Sequence, residues 1–113
     1  MYEYWGKRSR FAFWFQRATI FKGGFAMAVY LVERDLPGVT MEQLAEAQKT
    51  AIQMGKELTA EGRDVRYIRS TFVPGENKCM CLFEAPNPEN VREANERGKI
   101  PFTRIVQAED LTP

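Results

Sequence analysis

The chain has 113 residues, with 16 lysines and arginines, 15 acidic residues, two cysteines and no histidine. This length is enough for one domain with a modest hydrophobic core. The lack of histidine excludes Ser-His-Asp and Cys-His nucleophile pairs, and it excludes zinc sites built on imidazole. The sequence also contains no Walker or G-x-G-x-x-G phosphate-binding motif.

The first 26 residues differ in composition from the rest of the chain. They hold five basic residues against one acidic residue, and nine of the 14 aromatic residues. Residues 27–113 hold 11 basic and 14 acidic residues. We therefore predict an N-terminal extension over residues 1–26 and a domain over residues 27–113. The slightly acidic balance of the domain argues against nucleic acid as its partner.

The extension allows three interpretations. Gln16 and Arg17 interrupt its apolar run, which argues against a secretory signal, and it is too short and charged to cross a bilayer. A basic, aromatic segment could lie on an anionic membrane surface, so we expect a membrane partner only if the extension belongs to the natural protein. We favour a start at Met27, because Lys22-Gly23-Gly24 can be encoded by AAGGAGG, a ribosome-binding sequence. The extension should then add no stability to the domain.

The first half of the domain predicts a strand and a long helix. Residues 28–35 form a short run of β-branched, aromatic and other apolar residues, which is typical of a strand. Thr40 and Gln43 have the spacing of a capping box. They begin a predicted helix over residues 41–61, which Gly62 ends.

The second half predicts two strands, a shorter helix and a last strand. The strands over residues 65–73 and 78–85 flank the turn sequence PGEN. Asn87 is the predicted N-cap of the second helix, and the last strand covers residues 102–108. The order β-α-β-β-α-β predicts an α+β, ferredoxin-like fold, in which an antiparallel sheet carries two helices on one face.

The hairpin allows the faces of its strands to be assigned. We expect Val73 to pair with Lys78 across the four-residue loop, because a slip by one residue would bury Glu84 among apolar residues. Paired residues share a face. One face should then carry Tyr67, Arg69, Met80, Leu82 and Glu84. The face toward the helices should carry Ile68, Phe72, Cys79, Cys81 and Phe83.

The sheet face away from the helices keeps apolar side chains such as Met80 and Leu82. An exposed apolar sheet usually meets a partner, and the simplest partner is a second copy of the chain. We therefore expect a homodimer that forms through the open sheet face.

Several side chains are candidates for a site. Tyr67, Arg69 and Glu84 could form a small pocket or an ion pair at the dimer seam. Asn95 lies on the inner side of the second helix, as a satisfied buried amide or as a polar group of a pocket. Cys79 and Cys81 share a strand face, either as small core residues or as a soft metal or redox pair.

The stretches YLVERDLPG, VRYIRSTFVPGE, CLFEAPNPENVRE and IPFTRIV together resemble a family of small bacterial proteins long catalogued as a domain of unknown function. One branch of this family is described as nickel-binding. The resemblance implies a ferredoxin-like fold, a homodimer and nickel binding. Many relatives carry histidines on the hairpin strand and in the second helix, where the matching positions of this chain are Arg69 and Asn95. Nickel would then need carboxylate, thiolate, phenolate or backbone ligands.

Three functional hypotheses follow, the third and weakest being a regulatory interaction module that binds no ligand. The first is a homodimer that binds nickel, without enzymatic activity, in the reducing cytoplasm that two cysteines and no secretion signal predict. Its predicted metal ligands are Glu84, then Glu33 and Cys81, beside the pocket residues Tyr67, Arg69 and Asn95. The second is a dimeric barrel that binds or converts a small anionic or phenolic molecule, as cofactor-free oxygenases and isomerases do.

Overall fold

The structure is a computed structural model, and it describes residues 19–20 and 26–113. The predicted extension over residues 1–26 lies almost wholly outside the described residues. The described part contains seven elements: β1 (Thr19–Ile20), β2 (Ala26–Asp35), α1 (Met41–Ala60), β3 (Arg66–Val73), β4 (Lys78–Ala85), α2 (Pro88–Arg97) and β5 (Arg104–Ala108). From β2 onward the order is β-α-β-β-α-β, which confirms the predicted α+β, ferredoxin-like fold.

The main sheet is antiparallel and has the strand order β3-β4-β2-β5. The short strand β1 pairs with the first two residues of β2. Both helices pack against one side of the sheet, called the helix face here, and core residues from both helices and the central strands meet there. The opposite side is called the open face, and its central row consists of Leu31, Leu82 and Val106.

Both helices begin at the predicted caps. Thr40 Oγ1 accepts a hydrogen bond from the Gln43 backbone N–H at 3.0 Å, and Gln43 Oε1 accepts one from the Thr40 backbone N–H at 2.9 Å. This is a complete capping box. Asn87 caps α2 by accepting from the Asn90 backbone N–H at 2.9 Å. Gly62 follows α1 with a φ of 90°, a conformation that glycine adopts without steric cost.

The hairpin register agrees with the prediction over most of its length. Val73 pairs with Lys78, and the pairing continues in step to Arg69 opposite Leu82. A β-bulge at Ile68 then shifts the register, because two residues of β3 oppose one residue of β4.

Because of the bulge, the side chains at the start of β3 lie on the face of the sheet opposite to the predicted one. Tyr67 pairs with Phe83, and Arg66 rather than Tyr67 lies opposite Glu84. The predicted placement of Tyr67 beside Glu84 is therefore wrong. Tyr67 lies on the helix face, with its ring edge-on to Phe83 at a centroid distance of 5.5 Å. Ile68 is only half-buried and lies outside the core, contrary to its predicted position.

The core lies between the helix face and the two helices. Phe83 is fully buried, as predicted, and Phe72 is a partly buried neighbour of the core. Leu58 of α1 and Val91 of α2 are also fully buried. Neither α1 nor α2 combines the length and hydropathy of a helix that crosses a bilayer.

Candidate functional site

Arg34 is a buried arginine near the end of β2. The alternation of the strand puts it on the helix face with Tyr30 and Val32, and only 3% of its surface is exposed. Strand geometry alone therefore directs a charged side chain into the core.

The Arg34 guanidinium donates three hydrogen bonds. Nε donates to Cys81 Sγ at 3.3 Å, Nη1 to the Pro101 carbonyl at 3.1 Å, and Nη2 to Asn95 Oδ1 at 2.6 Å. Asn95 is itself fully buried, and its Nδ2 donates to the Val91 carbonyl at 2.8 Å. Both polar atoms of the Asn95 side chain are thus hydrogen-bonded, and Asn95 connects Arg34 to α2.

Cys79 and Cys81 are buried free thiols on the helix face of β4, and their sulfur atoms lie 3.8 Å apart. Burial, and next the neighbouring Cys81, raise the pKa of the Cys79 thiol to about 11. Cys79 therefore keeps its proton near neutral pH, and any ligand that needs its thiolate must displace that proton.

A chain of hydrogen bonds leads from α1 to Cys81. Gln48 Nε2 donates to Tyr67 Oη at 2.8 Å, Tyr67 Oη lies 2.7 Å from Ser70 Oγ, and Ser70 Oγ donates to Cys81 Sγ at 2.9 Å. Since Ser70 uses its proton on the sulfur, the tyrosine hydroxyl is left to donate to Ser70. Cys81 Sγ thus accepts from a hydroxyl and from the Arg34 guanidinium.

A cavity of about 180 Å³ lies beside this network, between α1 and the sheet. Its polar wall is formed mainly by the sheet and consists of Arg34, Tyr67, Ser70, Cys79 and Cys81. Its apolar wall comes mainly from α1 and consists of Leu36, Leu44, Ala47, Ala51 and Phe72. Met41, which is 72% exposed, also lines it, so the cavity reaches the surface near the start of α1.

Three of the six predicted site residues meet here. Tyr67, Cys81 and Asn95 lie on the helix side and are joined through Ser70 and Arg34. Their grouping differs from the predicted one, in which Tyr67 lay on the other face of the sheet.

Arg69 and Glu84 lie on the open face, away from this network. Glu84 pairs with Arg66 at 2.8 Å, and Arg69 pairs with Asp110. Arg69 therefore does not orient Glu84, which was its predicted role. Each of the two predicted residues has its own partner of opposite charge.

Glu33 also lies on the open face, in an ion pair with Arg104 at 2.8 Å. The hydrogen bond from Arg104 lowers the pKa of the Glu33 carboxyl. Glu84 lies opposite Val29, four residues from Glu33 along β2, which corresponds to about 13 Å. Cys81 projects to the other face, so the three predicted metal ligands do not meet within one chain.

The part of the chain that the structure describes contains no group of three His, Cys, Asp or Glu residues that could hold a metal ion. The thiols of Cys79 and Cys81 are the soft donors that it does bring together. A metal bound here would take two thiolate ligands from β4. Its other ligands would not be His, Cys, Asp or Glu side chains of the described residues.

The sequence pattern did not lead us to predict Ser70 and Gln48 as members of the site, or to predict that Arg34 is buried. A signal existed for Arg34, because it alternates with Tyr30 and Val32 in a strand whose inner face is apolar. Ser70 lies two residues from Phe72 in β3, so the alternation of the strand places both on the same face. Gln48 had no such signal, since its role depends on where the tyrosine hydroxyl lies.

Comparison with known proteins gives a family and a fold. A family model described as nickel responsive protein SCO4226-like matches residues 30–107, which include every residue of the network. The crystal structure of SCO4226 from Streptomyces coelicolor A3(2) superposes with a TM-score of 0.64 at 21% identity, covering 75% of this chain and 100% of that chain. At this identity the superposition supports the fold alone. No curated protein matches the chain.

Proposed function

Because the chain belongs to the SCO4226-like family of nickel responsive proteins, we propose that it is a cytoplasmic homodimer that binds nickel through Cys79 and Cys81. The observation that carries this proposal is the distance of 3.8 Å between the two sulfur atoms. Two thiolates bound to one tetrahedral ion, each at about 2.3 Å, would have nearly the same separation. The pair therefore needs little rearrangement to hold a metal.

The surroundings suit a thiolate site of moderate affinity. Arg34 and Ser70 both donate to Cys81 Sγ, so this sulfur already acts as an acceptor, and a metal would also bind through a lone pair of the sulfur. The guanidinium also repels a cation, which lowers the affinity. With both thiols ionised, a divalent ion and Arg34 leave one net positive charge. Solvent or an anion in the cavity would complete the coordination.

Calorimetric titration of nickel into untagged protein tests the ligands. Cys79→Ser and Cys81→Ser should each weaken nickel binding at least tenfold, or by about 1.4 kcal/mol. Glu84→Gln serves as the control, because Glu84 lies on the open face and should leave the affinity unchanged. The absence of a tag matters, since the chain itself has no histidine.

Two results would contradict this assignment. Unchanged nickel affinity in a variant that lacks both thiols would remove β4 from the site. Loss of binding in Glu84→Gln alone would move the site to the open face, where sequence reasoning first placed it.

The dimer proposal is supported by the open face. Leu31 lies between Leu82 on β4 and Val106 on β5, which gives a continuous apolar row across the sheet. Ion pairs at Glu33 and Glu84 flank this row. An apolar centre with a charged margin is the usual anatomy of an interface between identical chains.

Sedimentation measurements test the dimer. Leu31→Arg should shift the protein to a monomer, because it places a charge in the middle of the proposed interface. Leu111→Arg is the matched control, since Leu111 is 79% exposed and lies outside the strands. A dimer that survives Leu31→Arg would show that another surface mediates association.

The cytoplasmic assignment is supported by the state of the cysteines, which are free thiols. Buried free thiols are typical of proteins in reducing compartments. Alkylation in intact cells, followed by denaturation, tests this assignment. Both cysteines should be recovered as free thiols, whereas a recovered disulfide would argue for an oxidising compartment.

A further inference from the structure

Arg34 lacks a counter-ion among the described residues. Its three acceptors are a sulfur, a backbone carbonyl and an amide oxygen, and none of them is a carboxylate. The arginines of the open face differ: Arg66, Arg69 and Arg104 each pair with an acidic side chain. An arginine keeps its proton even when buried, and hydrogen bonds to neutral acceptors offset only part of the cost of burial, so an anion beside Arg34 would stabilise it further.

The Arg34 guanidinium has unused hydrogen-bonding capacity. It carries five N–H groups, and the described contacts use one on Nε and one on each terminal nitrogen. One N–H therefore remains on each of Nη1 and Nη2. Two N–H donors are the number that a carboxylate accepts in a bidentate pair.

The adjoining cavity has the size and lining for a small organic molecule. Its volume is about 180 Å³. An apolar cavity of about 150 Å³ is large enough for benzene. Arg34, Tyr67 and Ser70 line the side toward the sheet, and Leu44 and Ala47 line the side toward α1. A ligand in this space would turn a charged group toward the sheet and an apolar body toward α1.

We propose that this cavity binds a small carboxylate with an apolar body, an aromatic or branched aliphatic acid of benzoate size, and that Arg34 pairs with its carboxylate. Tyr67 and Ser70 are positioning residues, because they hold Cys81 Sγ against the guanidinium and so orient it. The apolar body contacts Leu44, Ala47 and Phe72. The carboxylate supplies a negative charge that Arg34 does not receive from the described residues.

This inference goes beyond nickel binding and does not depend on it. Arg34 has no counter-ion among the described residues, and the cavity is formed by the chain without a metal. The experiment therefore uses untagged protein treated with a chelator, so that a failure of nickel binding and a failure of acid binding are observed separately.

Titration calorimetry with benzoate and with 3-methylbutanoate as probes gives the first test. Benzoate should bind at one site per chain, and at least tenfold more tightly than benzamide, which has the same shape without the charge. Equal affinity for benzoate and benzamide would show that the cavity takes apolar molecules without help from Arg34. Absence of binding by both acids would overturn the proposal.

Replacing either of two alanines of α1 by leucine tests where the acid binds. Ala47→Leu fills the cavity and should weaken benzoate binding at least tenfold. Ala45→Leu introduces the same residue on the exposed side of α1 and should leave the affinity unchanged. Wild-type affinity in Ala47→Leu would place the acid elsewhere and overturn the proposal.

Arg34→Gln tests the charge directly. It should remove the preference for benzoate over benzamide, while benzamide binding stays within twofold of the wild-type value. A preference that persists in folded Arg34→Gln would contradict the role of the guanidinium. If Arg34→Gln does not fold, the comparison of benzoate with benzamide and the Ala47→Leu and Ala45→Leu variants still test whether the cavity binds the acid.

Discussion

Charged side chains have different environments on the two faces of the sheet. On the open face, Glu33 and Glu84 are paired with Arg104 and Arg66, and the side chains of both arginines are more than half exposed. On the helix face, Arg34 is buried with neutral or sulfur acceptors beside a cavity. Exposed ion pairs contribute little to stability, whereas a buried polar network is costly to disturb. Neighbouring residues of the same strands therefore differ strongly in what a substitution should do.

The largest contrast is expected from truncation of the core. Phe83→Ala should lower the free energy of unfolding by about 3–5 kcal/mol, because the side chain is fully buried between the sheet and the helices. Denaturant unfolding measures this value. Phe102→Ala, at a partly buried position at the margin of the core, should cost less. A loss below about 1 kcal/mol for Phe83→Ala would contradict the burial of Phe83 between the sheet and the helices.

The buried network gives the next effect. Asn95→Ala should destabilise the protein by about 2–4 kcal/mol, because it opens a cavity and leaves an Arg34 N–H without its acceptor. Glu96→Ala is the control on the same helix and should change stability by less than about 0.5 kcal/mol. Similar values for the two variants would mean that the Arg34–Asn95 contact carries no weight.

A pH dependence should distinguish the helix face. The Cys79 thiol has a reference pKa of 9.0, which the fold raises to about 11. The unfolded chain therefore loses this proton first, and stability should fall as the pH rises from 9 to 11. The loss should be at most about 1.4 kcal/mol per pH unit. Cys79→Ala should flatten the curve in metal-free protein, and an unchanged slope would argue against burial of the thiol.

The open face should show a smaller pH effect with the opposite sign. Arg104 lowers the pKa of the Glu33 carboxyl, so the ion pair adds stability above the unfolded-state pKa and loses it as the pH falls through the folded-state value. Glu33→Gln should reduce the acid sensitivity of unfolding slightly, because the pair is solvent-exposed. A large reduction would show that Glu33 is buried in the protein in solution, as a dimer seam would require.

The amino-acid sequence alone determined the element order and the helix starts. Thr40, Gln43 and Asn87 satisfy backbone groups within three residues of themselves, so their roles are readable without tertiary structure. The alternation of β4 likewise placed Cys79 and Cys81 on the core face. The same rule applied to β2 would have identified Arg34 as buried.

Only the tertiary structure decided which side chains form the site. The bulge at Ile68 depends on how β3 meets β4, and it moved Tyr67 from the open face to the helix face. The contacts of Arg34 with Cys81 and Asn95 join residues 47 and 61 positions apart in the chain. Local periodicity assigns a side chain to a face, but it contains no information on the distance between elements. The cavity, and beside it an arginine without a counter-ion among the described residues, therefore exist only once α1 and α2 have packed on the sheet.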